Sequence, residues 1–285
     1  MINRTIGEVR TAHPSRDGDG VAIQRISGMR HAGMDPILLL DELSAERRED
    51  FAGGFPPHPH RGMQTLTYMK HGGIIHQDNR GNRGEIRGGG AQWMSAGRGI
   101  VHSEMPTQDS TGLHGFQLWV NLPAAEKMSE PGYRDIPAEA LARLERQGFT
   151  AVAVAGEWQL QASEGTTTET LTGPLEELAP RAAVLDLVLQ AGASVSVNTA
   201  RPENLLAYVY RGSLAAQDIT VSAQQMAVTR AGDRFTITAG ADGAELLLLR
   251  GEPLAEPVAN YGPFVMNTAE EIEQAMADYR DGKFV

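Results

Sequence analysis

Short segments of strand length follow one another along most of this 285-residue sequence, and glycine-rich turns separate them. Early examples are Met63 to Tyr68 and Ile100 to Met105, with turns at Asn79 to Gly84 and at Gly88 to Gly90 between them. Glycine (32) and proline (15) together account for 47 residues, which fits many tight turns. Regularly spaced short strands of this kind predict an all-β fold of the sandwich or closed-barrel type.

A second strand-rich stretch extends from about Thr150 to Arg250, and its strands resemble the first set in number and spacing but not in their residues. We interpret this similarity as a weak internal duplication. Between the two stretches, the segment Pro137 to Gln147 has leucines one turn apart, a proline at its start and a glycine after its end, which predicts a helix. We therefore expect two domains, comprising residues 1–134 and 135–285.

The final segment predicts another helix, over Thr268 to Tyr279. Thr268 suits the N-cap position, and Glu271 three residues later completes a capping box. Apolar and aromatic residues recur at three- and four-residue steps, so they share one face that should dock onto a barrel. The residues of that face are Ile272, Ala275, Met276 and Tyr279.

The overall charge and the absence of cysteine exclude several classes of function. The net charge is −11, from 25 basic and 36 acidic residues, so direct nucleic-acid binding over a broad face is not expected. Without cysteine, disulfides, thiolate metal sites and thiol nucleophiles are impossible. The sequence shows neither an apolar core of signal-peptide length nor an apolar run of membrane-spanning length. We therefore expect a cytoplasmic, monomeric protein that does not enter a membrane.

Two pairs of potential metal ligands occur in the first stretch: His58 with His60, and His102 with Glu104. Side chains alternate along a strand, so the members of each pair point the same way. Pro59 fits only an edge strand or an irregular strand entry. On neighbouring strands, the pairs would bring three imidazoles and one carboxylate together, a set that suits Fe(II), Mn, Co, Ni, Cu(II) or Zn and leaves octahedral positions open. The alternative is two ordinary strand segments with no shared role.

Five motifs occur in different parts of the chain: DPILLLDE, GFPPHPHRGMQTLTY, AQWMSAGRGIVHSEMP, LWVNLP and YGPFVMNT. Together, and in this order, they resemble the pirin family. The resemblance covers nearly the whole chain, and residues 150–200 are its least distinctive part.

The resemblance implies a bicupin, with two antiparallel jelly-roll β-barrels in tandem, a few short helices including the C-terminal one, and one iron ion in the N-terminal barrel. The family's three histidine ligands and one glutamate ligand fall on His58, His60, His102 and Glu104, the set that the strand argument also gives. Pirins usually have a glutamate, not used as a ligand, where this sequence has Gln64. A carboxylate ligand at that position is therefore impossible here.

Other residues near these motifs have two interpretations. The last histidine of the sequence is His114, so a second cupin-type metal site is not expected in the C-terminal barrel. His76 and Asp78 resemble a recurrent pirin pair, and they either support the metal ligands or form a structural turn. Four further side chains either line a pocket for an aromatic ligand or belong to the barrel core. These are Trp93, Met94, Phe116 and Trp119.

The resemblance leaves two kinds of function open. Some pirins resemble quercetin 2,3-dioxygenases, which open a flavonol ring with O₂ and release CO. In that case a divalent metal, Fe(II) by resemblance, binds a small aromatic substrate, and Glu104 serves as both ligand and general base. The alternative is a non-enzymatic, iron-binding redox sensor that regulates a protein partner in transcription or metabolism. The acidic net charge fits a protein partner better than DNA.

Overall fold

The structure is a computed structural model that describes residues 1–162, 167–179 and 181–284, and β-strands dominate it. The first twelve strands are β1 (Ile6–Thr11), β2 (His13–Asp17), β3 (Val21–Ser27), β4 (Ile37–Ala45), β5 (Phe55–His60), β6 (Met63–His71), β7 (Gly73–Asp78), β8 (Arg83–Arg87), β9 (Ala91–Ser95), β10 (Ile100–Pro106), β11 (Leu113–Asn121) and β12 (Gly132–Ile136).

The later strands follow the same pattern of short segments and turns. They are β13 (Ala142–Arg146), β14 (Phe149–Ala155), β15 (Glu157–Ala162), β16 (Glu169–Thr172), β17 (Ala183–Leu189), β18 (Ser194–Asn198), β19 (Asn204–Ala216), β20 (Ile219–Ser222), β21 (Gln225–Thr229), β22 (Arg234–Gly251), β23 (Ala259–Tyr261) and β24 (Phe264–Met266). The helical elements are α1 (Ala269–Arg280) and the 3₁₀ turns Arg48–Asp50, Ala124–Glu126 and Ala138–Ala140.

The chain forms two compact units, and each of them draws on separate parts of the sequence. The first unit consists of His13–Arg30, Pro36–Glu139 and Leu254–Val285. The second unit consists of Met1–Ala12, His31–Asp35 and Ala140–Pro253. The domain boundary predicted after residue 134 remains a prediction about the linear sequence.

The first unit contains two antiparallel sheets. One has seven strands in the order β12-β9-β6-β11-β4-β3-β2, and the other has four in the order β5-β10-β7-β8. Apolar side chains from both sheets pack together, with Val21, Ile23 and Leu43 contributed by the larger sheet and Ile74 and Ile86 by the smaller. The ladders are open at their edges, and their facing arrangement is that of a jelly roll. A further two-stranded ladder, β23-β24, precedes α1.

The second unit is built on one extended antiparallel sheet that contains β1 and β13 to β22. Its central path runs β1-β21-β19-β22-β17-β14-β13, and the long strand β22 also pairs with β18. Alternate side chains of these strands point into one large apolar core, in which Phe149, Trp158 and Phe235 are fully buried or nearly so. The all-β, two-domain jelly-roll prediction is therefore confirmed.

The helix predicted over Pro137 to Gln147 is wrong. Only Ala138–Ala140 forms a single 3₁₀ turn, and Ala142–Arg146 is strand β13. This segment alternates smaller apolar residues with charged ones, so it also fits the two-residue period of a strand. β14 offers a complete antiparallel partner for it, with Leu144 opposite Ala151, and this tertiary pairing outweighs the helical propensity of the segment.

The predicted C-terminal helix is confirmed, together with its capping box. The Thr268 hydroxyl accepts a hydrogen bond from the Glu271 amide at 3.2 Å, and the Glu271 carboxylate accepts one from the Thr268 amide at 3.0 Å. Ile272 and Ala275 are buried against Phe264 and neighbouring apolar residues of the first unit. Tyr279, at the end of the predicted face, is 44% exposed. Among the described residues, no helix has the length and apolar character needed to cross a membrane.

Candidate metal centre

Strands β5 and β10 place the two predicted ligand pairs side by side. They are neighbours in the four-stranded sheet, with His58 opposite His102 and His60 opposite Ile100. β5 lies at the edge of this sheet, which is where Pro59 is tolerated because its nitrogen has no proton to donate. The alternation of side chains along each strand then turns the three imidazoles towards one space.

The three imidazoles form a compact cluster. One nitrogen from each of His58, His60 and His102 lies within 4.8 Å of the other two. The ring centroids are 4.4 to 5.0 Å apart. In the described part of the chain, His60 Nδ1 and His102 Nε2 are buried and have no hydrogen-bond partner. Buried polar atoms are rarely left unpaired, so these two nitrogens fit a site that is completed by a cation.

The electrostatic environment keeps all three imidazoles neutral at pH 7. Burial lowers the pKa of His58, although the Pro56 carbonyl and the charge of Asp17 oppose this shift. Burial, with a smaller contribution from the charge of His58, lowers the pKa of His60 to about 3. The pKa of His102 is also lowered well below its usual value, again mainly by burial. A neutral imidazole offers its lone pair without first losing a proton, as a metal ligand must.

Glu104 lies beside this cluster but is not one of its three members. A register shift between His102 and Glu104 interrupts the pairing of β10 with β5. The carboxylate is 5% exposed, and burial raises its pKa to about 7. The His58, His60 and His102 ligand assignments have the geometry of a metal site, whereas the role of Glu104 as fourth ligand remains a prediction.

A hydrogen-bonded chain leads from Glu104 into the larger sheet. Thr67 Oγ1 lies 3.1 Å from Glu104 Oε1 and also contacts Gln117 Oε1. A hydroxyl has one proton, so Thr67 can donate to only one of these oxygens. Both contacts are satisfied when Glu104 is protonated and donates to Thr67, or when the Gln117 amide turns its NH₂ group towards Thr67. The protonation of Glu104 is thus coupled to the orientation of Gln117.

On the opposite side, His76 supports His102. The two Nδ1 atoms lie 3.3 Å apart, and His76 Nε2 lies 3.1 Å from Asp78 Oδ2. The hydrogen bonds are satisfied when His102 Nδ1–H donates to His76 and His76 Nε2–H donates to Asp78. This arrangement leaves His102 Nε2 without a proton and available to a cation. Asp78 also accepts from the backbone of Arg80 and Asn82, so the pair both contacts the histidine cluster and forms a turn.

A cavity of about 740 Å³ opens beside the cluster. His58, His60 and Glu104 line it, and Trp119 packs edge-on against His60 with ring centroids 5.2 Å apart. The rest of its lining is a mixture of apolar and polar side chains. They include Met29, Leu39, Leu43, Phe55, Asp17, Arg25, Asp41 and Gln117.

Sequence reasoning predicted part of this lining. Of the four side chains proposed either for a pocket or for the core, Trp119 lines the cavity, whereas Trp93, Met94 and Phe116 are buried in the interior of the unit. Gln64 is also buried, on β6, outside the histidine cluster. The polar lining on β3, β4 and β11 was not predicted, because only the strand order brings those residues to the cavity.

Comparisons with known proteins agree with this fold. The family model described as Pirin matches residues 21–120, and the model for the pirin C-terminal cupin domain matches residues 184–285. A putative quercetin 2,3-dioxygenase from Vibrio cholerae is 46% identical over 284 residues, which cover 99% of this chain and 98% of that protein.

Two solved structures are similar along most of the chain. A quercetin 2,3-dioxygenase from Acinetobacter baumannii has a TM-score of 0.86 and 29% identity, covering 99% of this chain and 98% of its own. The bacterial pirin YhhW from Escherichia coli, in complex with nickel(II), has a TM-score of 0.59 and 23% identity, covering 86% and 99%. The second likeness concerns the fold alone. With two family models matching in order and a full-length relative at 46% identity, the chain belongs to the pirin family and has two cupin domains.

Proposed function

We propose that this protein is a metal-dependent dioxygenase that opens the ring of a flavonol such as quercetin with O₂. The observation that carries the proposal is a cluster of three neutral imidazoles beside a cavity of about 740 Å³, whose wall includes His58, His60 and the buried carboxylate of Glu104. Cavities of this size accommodate drug-sized molecules. The names of the relatives from Vibrio cholerae and Acinetobacter baumannii support the same reaction class.

The residues present fit a divalent metal. His58, His60 and His102 would hold it, and Glu104 is the proposed fourth ligand. A mixed nitrogen and oxygen set accepts several ions, and we propose Fe(II) over Mn, Co, Ni, Cu or Zn from the family resemblance. When bound, the ion supplies Lewis acidity towards the substrate oxygen and access to one-electron chemistry with O₂.

In this proposal, Glu104 takes the proton of the substrate's hydroxyl group. Burial raises the pKa of Glu104 to about 7, and the charge of a bound cation would oppose this rise, so burial keeps the carboxylate basic beside a metal, which suits a general base. The proton then rests on a Glu104 carboxyl oxygen, with Thr67 Oγ1 as its acceptor and Gln117 as the next acceptor. This chain holds the proton away from bulk water.

The cavity walls bind and orient an aromatic substrate. Trp119, Phe55 and Leu39 provide flat or apolar surfaces, and Trp119 is itself fixed by its edge-on contact with His60. Covering these surfaces with an aromatic ring removes water from beside Glu104. Exclusion of water strengthens the electrostatic interactions of the site and protects reactive species from hydrolysis.

The test is anaerobic mixing of the iron-loaded protein with quercetin, followed by O₂ and measurement of CO release and substrate loss. We expect turnover by the wild type. At saturating metal, Glu104→Gln should be slower by roughly 10²–10⁴-fold, the usual contribution of a positioned general base. Its pH–rate profile should lose the ascending limb that reports ionisation of the base.

Glu42→Gln is the matched control, because Glu42 is another buried glutamate of the first unit, paired with His114, and lies outside the cavity lining. It should retain turnover. Near-normal turnover by metal-saturated Glu104→Gln would exclude the base role. A wild type that cleaves no flavonol would refute the dioxygenase proposal and favour the alternative, a redox-sensing regulator of a protein partner.

A further inference from the structure

A row of polar residues crosses the seven-stranded sheet of the first unit from one side of the cavity to Glu104. Arg25 lies opposite Asp41, Asp41 opposite Gln117, and Gln117 opposite Thr67. Residues directly opposite one another in a sheet point to the same face, so these side chains share the face on which Thr67 meets Glu104. Asp41 is two strands from Thr67, which is about 10 Å at the usual strand spacing.

The far end of this row is a cluster of three charged groups. Arg25 Nε donates to Asp41 Oδ1 at 2.8 Å, and Arg25 Nη2 donates to Asp41 Oδ2 and to Asp17 Oδ2. All three residues line the same cavity as His58 and Glu104. The side chains of Arg25 and Asp17 are 31% and 45% exposed, so this part of the cluster is accessible, whereas the Asp41 side chain is 7% exposed.

The charge of this cluster selects the kind of group it can receive. Two carboxylates and one guanidinium give a formal charge of −1, and Asp19 and Glu104 add further acidic groups to the lining. Arg25 is the only lysine or arginine among the described residues that line the cavity, and both aspartates already engage it. Anionic phosphate or carboxylate groups are therefore disfavoured, and neutral hydrogen-bond donors are favoured.

The spacing of the acceptors is also informative. One guanidinium nitrogen contacts an oxygen of each aspartate, so the two carboxylates are held next to each other. Adjacent acceptors fixed in this way match two hydroxyl groups on neighbouring carbon atoms. We propose that Asp17, Arg25 and Asp41 form a subsite for the vicinal hydroxyl groups of a catechol ring, at the opposite end of the aromatic substrate from the atoms that react. The inference rests on the proposed function, because it assigns the orientation of that substrate.

The test measures binding without turnover. Full-length protein loaded with Zn²⁺ is titrated anaerobically with quercetin, which has two vicinal hydroxyls on its pendant ring, and with galangin, which has none there. Both share the 3-hydroxyl, so contacts near the metal cancel in the comparison. Wild type should prefer quercetin by about tenfold or more, the effect of one or two hydrogen bonds to charged groups. Equal binding of the two compounds would overturn the proposal.

Two aspartate variants test which residue is responsible for the preference for quercetin over galangin. Asp17→Ala should reduce it to about threefold or less, because one charged acceptor is lost. Asp19→Ala is the matched control, since Asp19 lines the same cavity but Arg25 pairs with Asp17 and Asp41. Asp17 is 45% exposed, so its variant should fold, which a thermal melt verifies. Equal loss of preference in both variants, or in neither, would overturn the subsite.

Failure of the subsite and failure of the proposed function give different results. If the wild type releases no CO from any flavonol but keeps a quercetin preference that depends on Asp17, the function is wrong and the subsite stands. If CO is released but the preference is absent, the subsite is wrong. If no flavonol binds, 4-methylcatechol and 4-methylphenol replace quercetin and galangin as probes. A catechol preference that Asp17→Ala removes supports the subsite, and equal binding of these two probes overturns it.

Discussion

His76 should control how tightly the site binds metal, although it is not itself a member of the histidine cluster. The perturbation is His76→Phe, which keeps a ring in the same space but removes the nitrogen that faces His102 Nδ1 at 3.3 Å. His102 is 2% exposed, so water does not readily replace that acceptor. In the variant, His102 either keeps a buried Nδ1–H without an acceptor or moves its proton to Nε2, the nitrogen that is otherwise available to a cation.

The magnitude follows from the cost of an unpaired buried donor. A cation can bind His102 Nε2 only when the proton is on Nδ1, and in the variant this buried N–H has no acceptor. Leaving a buried N–H without an acceptor costs about 1–3 kcal/mol, and this cost weakens metal binding. Since 1.4 kcal/mol corresponds to a factor of ten, metal affinity should fall by about 5- to 150-fold. Groups that orient metal-binding histidines usually contribute an effect of this size. His76→Gln should restore part of the affinity, because its amide oxygen can accept from His102 Nδ1–H.

In the assay, the protein and a chelator compete for Ni²⁺ or Zn²⁺, and calorimetry follows this competition to give the metal affinity. The control is His114→Phe, which removes a histidine that also faces a carboxylate, Glu42 at 3.0 Å, outside the histidine cluster. Thermal melts check that both variants fold. If His76→Phe binds metal within about twofold of the wild type, the tautomer argument is refuted, because that difference is below the smallest cost of an orphaned N–H.

Three further predictions concern stoichiometry, ligand identity and stability. Metal loading followed by elemental analysis should give about one equivalent per chain, and two tightly held equivalents would contradict the single site. Gln64→Ala should keep most of the metal affinity while His102→Ala should lose it, and equal losses would make Gln64 a ligand. Lys127 is 1% exposed, and its ammonium donates to two backbone carbonyls and the Asn121 side chain, so Lys127→Met leaves these buried acceptors unpaired and should destabilise the protein by about 1–3 kcal/mol in urea unfolding. Burial lowers the pKa of Lys127 to about 8 from 10.5, so the unfolded chain binds more protons between these values and wild-type stability should rise from pH 8 to 10.5; a variant with the same rise would contradict this.

The histidine cluster could be predicted from sequence because its geometry is mostly local. In an extended chain, residues two apart point the same way, so His58 with His60 already implies one shared space. Only the adjacency of β5 and β10 had to come from elsewhere, and the family resemblance supplied it. The capping box at Thr268 was predictable for the same reason, because all of its hydrogen bonds join residues within one turn.

The cavity lining and β13 were not predictable because they depend on pairing between distant segments. Arg25, Asp41 and Gln117 come from three strands, and nothing in their spacing along the chain indicates that they lie in one row. The segment Ala142–Arg146 satisfies helical and strand patterns equally well, and its pairing with β14 decides between them. A short segment that alternates apolar and charged residues cannot be assigned to a helix or a strand until its partner strand is known.

The candidate centre is held by both sheets of the first unit, and this determines when it can form. β10 carries His102 and Glu104 between two partners of its own sheet, with His58 on β5 and His76 on β7. The other side of Glu104 is held by Thr67 on β6, a strand of the seven-stranded sheet. The β5–β10 strand pair alone would therefore supply the imidazoles without the groups that fix the His102 tautomer and the Glu104 proton. Because those groups arrive only when the two sheets pack together, high-affinity metal binding should be a property of the folded unit, and metal should raise its unfolding temperature.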